Sequence, residues 1–184
     1  MGIAAIFTNS RTGSDGRRGR GGLPLAGLAA VLSLAFGAAI AFAQATRAEF
    51  PAGGVEFDVP AKWSAEGGRQ KLILVSPGED AFVEFSLLQA GSDNALRAQL
   101  AQRLAQTLTD TVLADEGEAT KISGMPAIRV SGIGSSDATS VRFVALELSP
   151  TAKQPIMVLA YSAQDGFAEQ LPAFEALFAS IARR

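Results

Sequence analysis

Apolar and acidic residues alternate through Val55-Glu56-Phe57-Asp58-Val59, the period of a strand with one buried and one wet face, and Pro60 ends the run just before Trp63. Leu72-Ile73-Leu74-Val75 is apolar at every position, and so is most of Phe143-Val144-Ala145-Leu146 and of Ile156-Met157-Val158-Leu159-Ala160-Tyr161. Such runs predict strands buried on both faces. Ser76-Pro77-Gly78-Glu79-Asp80 is short enough to close a hairpin between Leu72 to Val75 and a next strand, Phe82 to Leu88, so antiparallel neighbours are expected.

Two helices are predicted to cover that sheet. Ser92 or Asp93 caps the first, in which Leu96, Leu100, Leu104, Leu108 and Val112 form one stripe while Arg97, Gln99, Arg103, Gln106 and Asp110 point away. Asp165 caps the second, whose Phe167, Leu171, Phe174, Phe178 and Ile181 recur at helical spacing, with Pro172 expected to kink it or delay it by one turn. Between the helices lie Gly117 to Ile122 with Ala127 to Ile133, then Val141 to Leu148, then Ile156 to Ala163. They are separated by Gly124-Met125-Pro126, by Gly134 to Thr139 and by Ser149 to Gln154, a meander of antiparallel strands. The predicted class is α+β: a three-layer α/β/α sandwich with a central antiparallel sheet, in the order hairpin, helix, β-meander, C-terminal helix.

The first 45 residues follow a different pattern. Arg11, Arg17, Arg18 and Arg20 precede an uncharged stretch from Gly21 to Ala45 that ends in Ala43-Gln44-Ala45. Basic start, apolar middle and small-residue end are the order of a secretory signal peptide, so cleavage after Ala45 is expected, with Ala43 and Ala45 as the recognition pair. Residues 46–184 then form the single mature domain, in the periplasm or outside the cell. The alternative is an uncleaved inner-membrane signal anchor, since the apolar run is long enough to cross a bilayer. Arg17-Arg18 is a weak twin-arginine match, because Gly19-Arg20-Gly21-Gly22 follows where an apolar pair is usual.

Charge and composition narrow the function. Of 16 Lys and Arg and 18 Asp and Glu, four Arg and one Asp fall in the leader, leaving 12 basic against 17 acidic residues, a net charge of about −5. That balance supplies no electrostatic footprint for nucleic acid. The absence of cysteine excludes disulfides and a lipidated cysteine anchor; the absence of histidine removes the commonest general base and metal ligand. Serine triads, cysteine-histidine pairs, zinc sites and histidine-ligated haem are excluded together, and no cofactor is expected.

The element order, with Phe57-Asp58-Val59-Pro60-Ala61-Lys62-Trp63, Gly124-Met125-Pro126-Ala127-Ile128-Arg129, and Ala160-Tyr161 leading into Phe167 and Pro172-Ala173-Phe174-Glu175, resembles the PsbP-like α/β/α superfamily. That superfamily is named for an extrinsic photosystem II protein and shared by a Ran-binding nuclear protein and bacterial secretion-effector chaperones. The likeness spans nearly all of residues 46–184, and its motifs mark turns and core plugs. The resemblance implies the fold and, because studied members mostly act by binding partners, a binding role.

Each candidate contact has a structural alternative. Trp63, the sole tryptophan, is a binding anchor or a plug at one end of the sheet. Lys71, Arg129 and Arg142 interrupt apolar strands; they converge on an anionic ligand if their strands are neighbours, or sit at strand ends and snorkel past a helix. Asp115, Glu116 and Glu118 lack the spacing of a calcium loop and read as a solvated turn. Glu56 and Asp58 read as the wet face of an outer strand. Gly132-Ile133-Gly134-Ser135-Ser136 lacks the lysine and following helix of a phosphate loop and reads as a hairpin connection; Tyr161 reads as core. The functional expectation is an exported, non-catalytic interaction module of the bacterial envelope that engages an envelope protein or an apolar segment and meets the membrane only through its leader. The alternatives are a small periplasmic enzyme using carboxylates, Tyr161 or Lys71, and a membrane-anchored envelope protein.

Overall fold

The computed structural model describes residues 46–115, 117–151 and 154–184; the expected cleavage residues Ala43 and Ala45 lie outside the described residues, as does Glu116. The elements in order are β1 (Thr46–Phe50), a 3-10 turn (Pro51–Gly53), β2 (Val55–Val59), β3 (Ser64–Gly67), β4 (Lys71–Val75), β5 (Ala81–Leu87), α1 (Asp93–Thr107), β6 (Thr109–Leu113), β7 (Glu118–Ile122), β8 (Met125–Ser136), β9 (Thr139–Thr151), β10 (Gln154–Ala163), α2 (Phe167–Ser180) and β11 (Ala182–Arg183). An eight-stranded antiparallel sheet runs β3-β4-β5-β10-β9-β8-β6, with β7 also paired to β8. A second sheet, β1-β2-β11, is separate from it. The alternating strand Val55–Val59 is thus the centre of this small sheet, not an outer strand of the large one.

Because side chains alternate across a strand, the pairing register sorts the large sheet into two faces. On one, Leu74, Val83, Phe85, Leu146, Val158 and Ala160 pack against Phe174, Leu177 and Phe178 of α2 and against Phe50 and Phe57 of the small sheet. Phe57 stacks on Phe85 with ring centroids 4.3 Å apart. On the other, Val130, Phe143, Ala145, Met157 and Leu159 pack against Leu96, Leu100 and Leu104 of α1. The result is α1, then the large sheet, then a layer shared by α2 and the small sheet: an α+β architecture with helices on both sides of an antiparallel sheet.

The capping expectation holds for α1, where Ser92 Oγ accepts from the Ala95 amide at 3.4 Å, and fails for α2. Gly166, not Asp165, precedes α2 and gives it no side-chain cap, while Pro172 sits inside the helix without delaying its start. The first helix also ends earlier than its apolar stripe suggests. Leu108 caps it and is buried, and β6 begins at once with Thr109, its register shifting past Asp110 (φ 50°) before the exposed Val112. Thr107, Thr109, Thr111 and Val112 are β-branched, and the unpaired edge of β8 offers them a ladder that an extra helical turn would forgo. Gly132 permits the approach: a Cβ there would lie 2.3 Å from the Val112 carbonyl oxygen and 2.7 Å from the Phe143 ring. Gly132 to Ser136, expected as a hairpin connection, are instead the end of strand β8 and pair with β9; the connection itself is Asp137 and Ala138, both at positive φ.

Candidate functional site

The register decides whether the predicted cations converge. Lys71 pairs across the ladders with Ser86, Met157, Glu147 and Ile128, a row on the α1 face. Arg129 opposite Leu146, and Arg142 two residues before Val144, lie on the α2 face. The three therefore do not meet. Arg129 is spent on a two-armed clasp with Glu175 of α2, one arm at 3.0 Å, and these hydrogen bonds raise its pKa further. Trp63 meets Phe174 edge-on at 6.1 Å and is half-buried: one side packs on the core, and it also lines a surface pocket with Val59, Pro60 and Ala65. Glu56 and Asp58 each take one arm of Arg47 at 2.8 Å, which ties β1 to β2 across the outer surface.

Arg142 has a different setting. Its guanidinium lies over the Phe167 ring, 5.5 Å from the centroid, and no carboxylate among the described residues forms an ion pair with it. It borders a groove of about 230 Å³ whose apolar wall is Val112, Ile133, Val144 and Phe167. The groove lies where α2, which begins at Phe167 and packs mainly on β2, β5 and β10, reaches β8 at Arg129 but, among the described residues, leaves Ile133 and β6 uncovered. Val112, Leu113 and Ile133 are 60 %, 48 % and 44 % exposed, and β6 is the terminal strand of the sheet. A terminal strand with apolar side chains and free backbone groups is a template for pairing with another chain. The opposite edge, β3, is Ser64-Ala65-Glu66-Gly67 and offers no apolar surface of this kind.

A second, polar cleft of about 530 Å³ opens on the α1 face between β4, β5 and α1. Lys71 Nζ lies 2.8 Å from Glu84 Oε2, to which Thr107 Oγ1 also donates at 3.3 Å. Arg103 donates to Gln106 Oε1 at 3.1 Å, and Ser86 Oγ, in a residue only 3 % exposed, has no hydrogen-bond partner among the described residues. Leaving a buried hydroxyl unsatisfied costs about 1–3 kcal/mol. Glu147, in the same cross-strand row, is buried, with Oε2 unpartnered among the described residues; burial first, then the Asp93 charge, raises its pKa, while Arg97 opposes. Glu147 lines neither cleft. Tyr161 stacks on Phe82 at 5.2 Å and is only half-buried; burial raises its pKa, with a hydrogen bond to Ser136 opposing. Among the described residues no cluster of three acidic side chains is placed to hold a metal ion; Asp115 instead accepts from Ser131 Oγ at 2.8 Å and from the Gly117 amide at 3.1 Å.

Val112, Leu113, Glu84, Ser86 and Glu147 were not candidates by sequence. A signal for the last three existed: Phe82-Val83-Glu84-Phe85-Ser86 and Leu146-Glu147-Leu148 place polar groups inside runs otherwise apolar.

No protein-family model matches the chain, and no curated protein matches it significantly. Solved structures do. The cyanobacterial PsbP protein of Synechocystis superposes with a TM-score of 0.59 at 13% identity, over 79% of this chain and 96% of that one. LpqN of Mycobacterium tuberculosis, described as involved in cell envelope biogenesis, gives 0.50 at 15% identity over 76% and 90%. The Ran-binding protein Mog1p of Saccharomyces cerevisiae gives 0.50 at 10% identity over 76% and 95%. The protein has the PsbP-like fold, and identities this low establish the fold alone.

Proposed function

We propose that residues 46–184 form an exported, non-catalytic binding module of the bacterial envelope, which adds an extended segment of a partner protein to the β6 edge. The observation that carries this reading is the exposed apolar edge of Val112, Leu113 and Ile133 beside the ion-pair-free Arg142. Backbone groups of β6 give affinity for any extended chain; the groove selects an apolar side chain, and Arg142 selects a carboxylate next to it. The partner segment is therefore apolar with one acidic residue. A Ran-binding protein of the same fold supports a binding role by analogy, and a protein of that fold involved in envelope biogenesis supports a place in the envelope. In this reading the leader is removed after Ala45, and neither metal nor cofactor takes part.

Binding is tested by titrating the full chain with designed extended peptides that alternate apolar and polar residues, with and without one glutamate, while following the Val112, Ile133 and Arg142 amides by NMR. Val112→Lys should abolish binding and change stability by less than about 0.5 kcal/mol, as for an exposed position. Peptide shifts confined to other surfaces would overturn the reading. Export is tested by N-terminal sequencing of protein from the periplasmic fraction, expected to begin at Thr46; full-length protein in the cytosol would contradict it.

A further inference from the structure

A third pocket, of about 330 Å³, is used neither by the β6 reading nor by the polar cleft, and it has an aromatic floor. Phe82 on β5 pairs with Tyr161 on β10, which pairs in turn with Phe143 on β9, so the three rings share a row on the α1 face. Phe143 is buried with the α1 leucines, but Phe82 and Tyr161 are part-exposed and stack on each other with centroids 5.2 Å apart. Acidic residues stand on either side of them. Glu79 and Asp80 belong to the β4–β5 turn, next to Phe82; Asp137 belongs to the β8–β9 turn, beyond Tyr161 in the strand order β5-β10-β9-β8. No Lys or Arg lines the pocket, and among the described residues none of these three carboxylates forms an ion pair. Asp80 is held in place by Ser76 Oγ, which donates to it at 2.6 Å, and by Gln170 Nε2 at 3.3 Å. Burial first, then the negative charges of Glu84 and Asp137, raise the Tyr161 pKa, so its ring lies in a negative field.

We infer that this pocket binds a linear aliphatic polyamine, with its methylene chain along the Phe82 and Tyr161 rings and its ammonium groups at the carboxylates on either side. An aromatic face covers methylenes and attracts cations, and three uncompensated carboxylates around it select positive charge. A metal ion fits poorly, because among the described residues no three acidic side chains come close enough together to hold one. Charge that is spread out calls for a cation whose charges are spread out as well. Neighbouring strands lie about 4.8 Å apart, so the foot of β5 and the β8–β9 turn are roughly 10–14 Å apart. A triamine with three- and four-carbon spacers suits that span, since nine extended single bonds of about 1.5 Å set its end nitrogens about 11 Å apart. Its three ammonium groups match Glu79, Asp80 and Asp137 in number.

Tyr161 is the only tyrosine in the chain, so ring-labelled tyrosine places one NMR signal on the floor of the pocket. The full chain is titrated at low salt with spermidine, and with putrescine, butylamine, magnesium chloride and a tetralysine peptide for comparison. Spermidine should move the Tyr161 signal saturably, with a Kd on the order of 1 mM or tighter. It should bind about 3-fold tighter than putrescine and about 10-fold tighter than butylamine, and weaken as salt is raised. Glu79→Gln combined with Asp137→Asn, both at exposed positions, should weaken binding about 10-fold. Phe82→Leu keeps an apolar floor without the ring face and should weaken it about 2- to 5-fold, with the circular dichroism spectrum unchanged. Val112→Lys should leave spermidine binding as it is, so failure here and failure of the β6 reading are told apart. No saturable shift up to about 10 mM spermidine, or an equal response to magnesium or butylamine, would overturn the inference. Tetralysine binding tighter than spermidine would overturn it too, in favour of a basic protein segment.

Discussion

On the α2 side of the large sheet, Phe50, Phe57, Phe85, Phe174 and Phe178 meet in a core with no buried carboxylate among the described residues; on the α1 side, Leu96, Leu100 and Leu104 share their layer with Glu84, Ser86 and Glu147. One sheet carries both layers, and α1 and α2 differ by a single residue in length, 15 against 14. The difference lies in what each layer is asked to do. Aromatic packing excludes water and favours one arrangement, whereas buried polar groups cost free energy unless something satisfies them. The aromatic side secures the fold with only small buried polar groups such as Ser162, whereas the α1 side buries two carboxylates, of which Glu84 is held by Lys71 and Thr107. At the uncovered β6 end of the α2 side, the same dryness becomes exposed apolar surface, the feature assigned above to a partner chain.

The sharpest way to break this contrast is to truncate one side chain on each side. Phe174→Ala, fully buried against Trp63 and Phe167, should lose about 3–5 kcal/mol in urea unfolding; Leu100→Ala should lose less, about 2–3 kcal/mol, because its layer is a single leucine stripe. Equal losses would mean that both faces secure the fold alike. A Phe174→Ala loss below about 1 kcal/mol would place α2 somewhere other than the core.

A smaller effect is expected from the polar side. Lys71→Met keeps the aliphatic stem and removes the partner of buried Glu84, which strands a carboxylate in the sheet. The Lys71 side chain is half-exposed, so water screens part of the loss, and about 1–2 kcal/mol is expected rather than the larger cost of a fully enclosed pair. Adding Glu84→Gln should recover part of it, measured as a coupling in the double-variant cycle. Additive losses would show that the pair contributes nothing as a pair.

These contrasts were only partly legible in the chain. Apolar runs at Leu72, Phe143 and Ile156 mark the central strands because burial on both sides leaves no polar position. Leu72–Val75 itself is only partly buried, since β4 lies one strand from an edge. β3 and β11 carry no apolar alternation and are held by backbone pairing, so periodicity has nothing to read in them. The leucine stripe overran the end of α1 because Leu108 and Val112 continue its spacing; the helix ends at Thr107, and Thr109 onward pairs with β8, a long-range contact. For the candidate contacts, residue type picked out Lys71, Arg129 and Arg142, but only register could place the first on the opposite face from the other two.

The smallest expected effect is confined to one pH window and isolates Glu147. Burial, with Asp93 adding to it and Arg97 opposing, raises its folded pKa above that of the unfolded chain. Between the two values the native state holds more proton than the unfolded state, so this contribution to stability is full below the unfolded value and is lost as pH rises through the folded one. The wild type should therefore lose stability on going from acid towards neutrality in that window, over and above the trend set by its other carboxylates. Glu147→Gln removes the titration while keeping the shape, and should flatten that part of the profile measured by urea unfolding at closely spaced pH values. An unchanged slope in the variant would mean that Glu147 is well solvated in the folded protein, and that the α1 side is wetter than its buried carboxylates imply.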